Sequence, residues 1–182
     1  EEESLRHQSL RQARGVLFRQ LKSPYGQYRM SKPVTITLLL TDLVDSTRLI
    51  SEIGDDKAAE VMIRHDRLAR DLLPIHRGRE IDKSDGFLMI FESAADGVRY
   101  ALAYHEANRA LSAEFGLPLS ARAGLHTGAV RLIWNDEADV ARGAKPCEVE
   151  GIAKATAARI MTVAMAMPCL LYTSPSPRDL TT

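Results

Sequence analysis

Cysteine is scarce in this chain of 182 residues: Cys147 and Cys169 are the only two. Two offer neither a disulfide framework nor paired metal-ligand spacing, which points to a reducing, cytoplasmic setting. An excess of charge is missing as well, with 24 basic against 24 acidic side chains, so there is no overall electrostatic footprint for nucleic acid or an anionic membrane. Aromatic residues make up 5%, and the Phe87–Phe91 run is too aliphatic for a base-stacking, RNA-binding sheet. The longest apolar run, Ile160 to Leu171, is broken by Thr162 and Pro168 and falls short of the ~20 residues of a membrane-spanning helix. Phosphate-loop, dinucleotide-binding and hydrolase-elbow glycine motifs are absent. The five histidines are scattered without metal-ligand spacing; His65 and His105, on apolar helix faces, read as core residues. What is present is a 45% hydrophobic content, enough for one compact domain with a core of its own.

Both ends differ in composition from the middle. Residues 1–29 carry six basic against three acidic side chains with little apolar periodicity and read as a linker or upstream segment. A domain is expected over residues 30–168, continuing in the native protein beyond Pro168. Residues 169–182 include C-L-L-Y-T-S-P-S-P-R-D, which resembles the conceptual translation of a sequencing adapter and is expected to be a disordered tail.

Between these ends, Val34–Leu40 reads as a buried strand and Asp42–Ser46 as the turn after it. Apolar residues from Ala58 to Leu72 recur at helical spacing, predicting a helix over Asp55–Leu73 that Pro74 limits. The runs Arg79–Lys83 and Phe87–Phe91 flank Ser84-Asp85-Gly86 and predict an antiparallel hairpin. Ser93 and Asp96 form a capping box for a helix to about Leu111, with Val98, Ala101, Leu102 and His105 facing inward. Alternation from Leu119 to His126 predicts a half-buried strand, and Ala129–Trp134 a further one. A polar connection over Asn135–Cys147, acidic in front and basic at its end, leads to a helix over Ile152–Met167. This order predicts an α+β fold, a ferredoxin-like split βαβ sandwich.

In that topology the first strand ends where the third begins, so Asp42 and Asp85 converge. Two carboxylates beside the backbone amides of Val44, Asp45, Ser46 and Thr47 suit divalent cations held against a polyphosphate. On spacing alone, a helix cap at Asp42 and a turn former at Asp85 are the stronger readings.

Four motifs, in order, shift that balance. T-L-L-L-T-D-L-V-D-S-T (Thr37–Thr47), S-D-G-F-L-M-I-F (Ser84–Phe91), R-A-G-L-H-T-G (Arg122–Gly128) and E-V-E-G-I-A-K-A-T-A-A-R (Glu148–Arg159) together resemble the catalytic domains of class III adenylate/guanylate cyclases over roughly Val34–Met167. The resemblance implies cyclisation of ATP or, as second choice, GTP to the 3′,5′-cyclic nucleotide and pyrophosphate, for intracellular signalling. It implies Asp42, Asp85 and the Leu43 carbonyl as ligands of two Mg²⁺ or Mn²⁺ ions, Arg159 as the residue stabilising charge on the transferring phosphoryl group, and Glu148 as a base-selecting residue. It also implies a homodimer whose two sites are each shared between subunits. Three positions depart from the family pattern: Ile81 where a base-reading lysine stands, Ala155 where an assisting asparagine stands, and Asp45 where a glycine is usual. Lys83 lies near the first of these and is a candidate base contact. A cyclase-like module for nucleotide binding or dimerisation, with weakened turnover, is the alternative that Ile81 and Ala155 raise.

Overall fold

The computed structural model describes residues 29–164 and 171–173. The expected linker over 1–29 lies outside them except for Arg29, as does the expected tail except for residues 171–173; so do residues 165–167 of the last expected helix.

The β-branched and leucine-rich run forms β2 (Val34–Leu43), preceded by the short β1 (Arg29–Met30). After it come α1 (Ser46–Ile53) and α2 (Asp55–Ile75), then the hairpin strands β3 (Gly78–Lys83) and β4 (Phe87–Phe91). Helix α3 (Ala94–Phe115) leads into the long β5 (Ala121–Trp134). Short α4 (Glu137–Ala141), β6 (Cys147–Glu150), α5 (Ile152–Val163) and β7 (Leu171–Thr173) complete the described chain. The spatial order β5-β2-β4-β3, antiparallel throughout, is that of a split βαβ sandwich. The fold class expected from the sequence is therefore the one observed. Strands β1 and β6 pair with the far end of β5, and β7 runs parallel to Ala123–Leu125.

Several local expectations change in the folded chain. Pro74 lies inside the last turn of α2 rather than ending it. The two strands expected around Ala129 are one, because β2 pairs continuously from Val34 opposite Val130 to Leu43 opposite Ala121. Leu102, expected inward, is 49% exposed; Tyr100 and Tyr104 fill the inner face of α3, their rings stacked 6.0 Å apart. The connection after β5 holds α4 and gives way to β6, both too short to show periodicity.

Alternation divides the sheet residues between two cores. Leu39, Leu43, Phe87, Met89, Phe91 and Leu125 pack with α2 and α3. Ile36, Leu38, Ile81, Leu88, Ile90 and Val149 pack with Ala153 and Ala157 of α5. Covering this second face buries His126, which a half-buried strand would have left in water. Contact with α5 requires Gly124, because a Cβ there would meet the Met161 nitrogen at 2.3 Å. Among the described residues no helix is long and apolar enough to cross a membrane.

Candidate active site

Antiparallel pairing of β2 with β4 runs from Thr37 opposite Phe91 to Leu40 opposite Leu88, which brings the start of β4 to the end of β2. The hairpin turn lies directly on that end. A Cβ on Gly86 would stand 1.7 Å from the Thr41 carbonyl oxygen and 3.2 Å from the Asp42 Cα, so only glycine permits the approach, and Asp85 is carried beside Asp42. The Phe87 amide donates to the Thr41 hydroxyl at 3.3 Å, fastening the turn from the other side. By alternation Asp42 continues the face of Leu38 and Leu40, the face that α5 covers.

The two carboxylates differ in surroundings. Asp85 is exposed, whereas Asp42 is half-buried and accepts from the guanidinium of Arg122, its cross-strand partner on β5. Arg122 keeps a buried Nε without an acceptor among the described residues. Its place in the alternating run was legible, but its partner was not, because only the β2–β5 register decides which residue stands opposite.

Helix α1 begins at the same edge. Asp45 precedes it with φ of 52°, in the left-handed region that favours glycine, and makes no capping hydrogen bond. The amides of Ser46 and Thr47 open the helix without an intrahelical acceptor. Val44 differs from the expectation of a free amide: its N–H donates to the Ser120 carbonyl at 2.9 Å.

A second cluster lies at β3 and β6. A cavity of about 310 Å³ is walled by Ile81, Leu88 and Val149 and carries Glu148, Lys145 and Asp82 at its polar side. Glu148 accepts from the Asn135 amide at 2.9 Å, and the same amide donates to the Lys145 carbonyl at 2.7 Å. The Lys145 ammonium pairs with Asp82, just past an irregularity in the β3–β4 register at Ile81. Lys83, expected as a base contact, pairs instead with Asp66 of α2 at 3.2 Å and does not line the cavity. The bulge supplies the physical reason, since one extra residue shifts which side chains face which side. Lys145 and Asn135 were missed because they belong to a connection with no periodic pattern.

Arg159 is exposed on α5 with no hydrogen bond or ion pair to either aspartate. Within one chain the structure pairs Asp42 with Arg122, seats the turn that carries Asp85 on the end of β2, and separately ties Glu148 to the Lys145 backbone through Asn135; Arg159 pairs with neither aspartate. Cys147, buried at the start of β6, has its thiol pushed up to about 11 by burial, which keeps it protonated and unreactive at neutral pH.

No group of three or more His, Cys, Asp or Glu side chains is poised to hold a metal among the described residues. Two carboxylates at an open edge nevertheless fit Mg²⁺ or Mn²⁺, hard ions that commonly take one or two carboxylates and complete their shell from substrate phosphates and water.

No protein-family model matches the sequence. One curated protein, the serine/threonine-protein kinase pkn2 of Myxococcus xanthus, is 30% identical over 82 residues, which is 44% of this chain but 10% of the kinase. The chain thus spans about a tenth of that relative's length. Solved structures give a broader likeness. The guanylyl cyclase Cya2 superposes with a TM-score of 0.60 at 23% identity, over 74% of this chain and 73% of its own. The adenylyl cyclase CyaB from P. aeruginosa gives 0.66 at 15% identity, over 77% and 76%. A bacterial light-regulated adenylyl cyclase gives 0.68 at 15%, over 79% and 77%. At these identities the likeness is one of fold: this chain has the fold of class III adenylyl and guanylyl cyclase catalytic domains.

Proposed function

We propose that this domain is a nucleotidyl cyclase, converting a nucleoside triphosphate, ATP or GTP, to its 3′,5′-cyclic monophosphate and pyrophosphate. The observation that carries the reading is the seating of the Asp85 turn on the end of β2, possible because Gly86 lies against the Thr41 carbonyl. It seats the turn that carries Asp85 on the strand end that carries Asp42, just ahead of α1 in the chain, and this supports a site for a metal-bound polyphosphate.

The reaction joins the ribose 3′-oxygen to the α-phosphorus, breaks the bond from that phosphorus to the bridging oxygen, and releases pyrophosphate and the hydroxyl proton. Asp42, Asp85 and the Leu43 carbonyl would hold Mg²⁺ or Mn²⁺, which supplies Lewis-acid activation of the hydroxyl and neutralises the triphosphate. Arg122 orients Asp42, and its spare Nε is a donor for phosphate oxygen. The Ser46 and Thr47 amides receive the phosphates at the positive end of α1. Asp45 adds a negative charge there, which opposes that binding. Glu148, held by Asn135, faces the base.

Arg159 is the guanidinium assigned to the developing negative charge at phosphorus. Since it makes no ion pair with the aspartates of its own chain, it would serve across a homodimer, the partner's Arg159 acting on this chain's carboxylates. Exposed Ala155 provides no donor beside it, which favours a second reading as a nucleotide-binding module with weak turnover.

The test is product formation from ATP and from GTP with Mg²⁺ or Mn²⁺, beside an Asp42→Asn variant. Cyclic nucleotide that falls by two orders of magnitude or more in the variant, about the size of losing a principal electrostatic contact, supports the cyclase. No product from folded protein that still binds nucleotide leaves the binding module.

A further inference from the structure

The turn Ser84-Asp85-Gly86 lies between Lys83 and Phe87, which pair with each other across the hairpin. Both of these flanking residues lead to one carboxylate on α2. On one side the Lys83 ammonium lies 3.2 Å from an oxygen of Asp66. On the other, the Phe87 amide donates to the Thr41 hydroxyl oxygen at 3.3 Å. The Thr41 side chain in turn meets the phenol oxygen of Tyr104, as a donor that opposes the upward pull of burial on the phenol's pKa. The Tyr104 hydroxyl lies 2.7 Å from Nε2 of His65, and Nδ1 of the same ring lies 3.1 Å from the second oxygen of Asp66. Thr41, Tyr104 and His65 are all buried, so a lost partner leaves its neighbour unsatisfied.

Donor and acceptor counts fix the direction of this chain. A carboxylate only accepts, so His65 donates to Asp66 through Nδ1–H. Burial lowers the His65 pKa and keeps the ring neutral, which leaves Nε2 a bare acceptor. Tyr104 then gives its proton to Nε2, its oxygen takes the Thr41 proton, and the Thr41 oxygen takes the Phe87 N–H. Every bond runs toward Asp66, and each member supplies the one proton that the order requires.

We propose that Asp66 is a positioning residue of the candidate active site: through Lys83 on one flank, and through His65, Tyr104 and Thr41 on the other, it holds the turn that carries Asp85 against the strand end that carries Asp42. Gly86 permits the close approach to the Thr41 carbonyl, but a residue without a side chain does not fasten the turn; the two arms from Asp66 do. Asp85 itself is exposed, so its place is set by the backbone on either side of it.

The inference rests on the cyclase reading, and the experiment separates the two. Two tyrosines of α3 supply a matched pair. Tyr100→Phe removes a buried hydroxyl that donates to the Ala69 carbonyl of α2 at 2.9 Å and takes no part in the chain to the turn, whereas Tyr104→Phe cuts that chain. Mn²⁺ binding is measured by electron paramagnetic resonance with α,β-methylene ATP and, separately, with its GTP counterpart; turnover is measured alongside, and amide exchange at Phe87 is followed by NMR. We expect Tyr104→Phe and Asp66→Ala each to weaken Mn²⁺ binding about 10-fold, the lower end of the usual loss when a partner that supports a metal ligand is removed. Turnover should fall with it and exchange at Phe87 should quicken, while Tyr100→Phe changes none of these. A merely structural role would move both tyrosine variants alike, so a folded Tyr104→Phe whose Mn²⁺ affinity matches that of Tyr100→Phe overturns the proposal. If Tyr104→Phe does not fold, Asp66→Ala, at a partly exposed position, supplies the comparison. If the wild type neither binds Mn²⁺ with nucleotide nor turns over, the cyclase reading fails and exchange at Phe87 alone decides: faster exchange in Tyr104→Phe than in Tyr100→Phe upholds the hold of Asp66 on the turn, and equal rates overturn it.

Discussion

At Asp45 a single side chain bears two loads. The residue adopts φ of 52°, a conformation that costs an L-residue about 1–2 kcal/mol and glycine little, and it puts a carboxylate at the start of α1, where the proposed function has the phosphates bind. Its exposed pairing with Arg48 at 3.5 Å offsets little of this, as surface ion pairs generally do. Asp45→Gly and Asp45→Ala both remove the charge, but only glycine suits the backbone. The glycine variant is therefore expected to be the more stable of the two by roughly 1 kcal/mol in urea unfolding, after allowance for the greater freedom of glycine in the unfolded chain. Both should bind a metal–triphosphate more tightly than wild type, and weaker binding by both would show that Asp45 contacts the ligand favourably.

Among the elements, the α2–α3 layer depends on histidines kept neutral. His65 on α2 shares a hydrogen bond with the Tyr104 hydroxyl of α3 at 2.7 Å, and its other ring nitrogen lies 3.1 Å from Asp66. Burial lowers its pKa below the ordinary value, outweighing the opposing pull of Asp66. His105 is lowered too, by burial first and by Arg109 second. A folded state that refuses protons the unfolded chain accepts loses stability as pH falls below the unfolded value of about 6.5, and is unaffected well above it. The unfolding free energy from urea titration should hence stay nearly flat from pH 8 to 7 and fall from pH 6.5 downward, by up to ~1.4 kcal/mol per pH unit for each histidine, with the midpoint falling alongside. A midpoint that rises on acidification would mean that these rings are charged in the folded protein. The same layer explains why Leu102 was misplaced by periodicity. Two tyrosines fill the space between α3 and the sheet, and Tyr100 donates to the Ala69 carbonyl at 2.9 Å, so leucine gains less from facing inward.

For the whole molecule, Arg159 pairs with neither Asp42 nor Asp85 of its own chain, and the proposed chemistry takes its arginine from a second chain. In the proposed two-fold dimer each site would take its aspartates from one chain and its arginine from the other. Asp42→Asn and Arg159→Ala should each abolish turnover alone. Mixed in equal amounts and allowed to exchange, half the dimers are heterodimers with one intact site, so activity should return to roughly a quarter of wild type. Failure of the mixture to recover, with exchange verified by a labelled chain, would place Arg159 with the aspartates of its own chain and overturn the shared site.

The alternating and helical periods in this sequence were sufficient for the hairpin, the two long helices and the split βαβ class, because each is a local pattern whose buried face is written in consecutive residues. The turn signal Ser84-Asp85-Gly86 likewise marked Asp85 without any tertiary knowledge. Folding alone decided what no local period encodes: that Arg122 stands opposite Asp42, which a one-residue shift of register would undo; that His126 is buried, because α5 covers a second sheet face; and that Lys145 rather than Lys83 enters the cavity. Each depends on contacts between segments distant in the chain, where the partner, not the residue itself, determines its role.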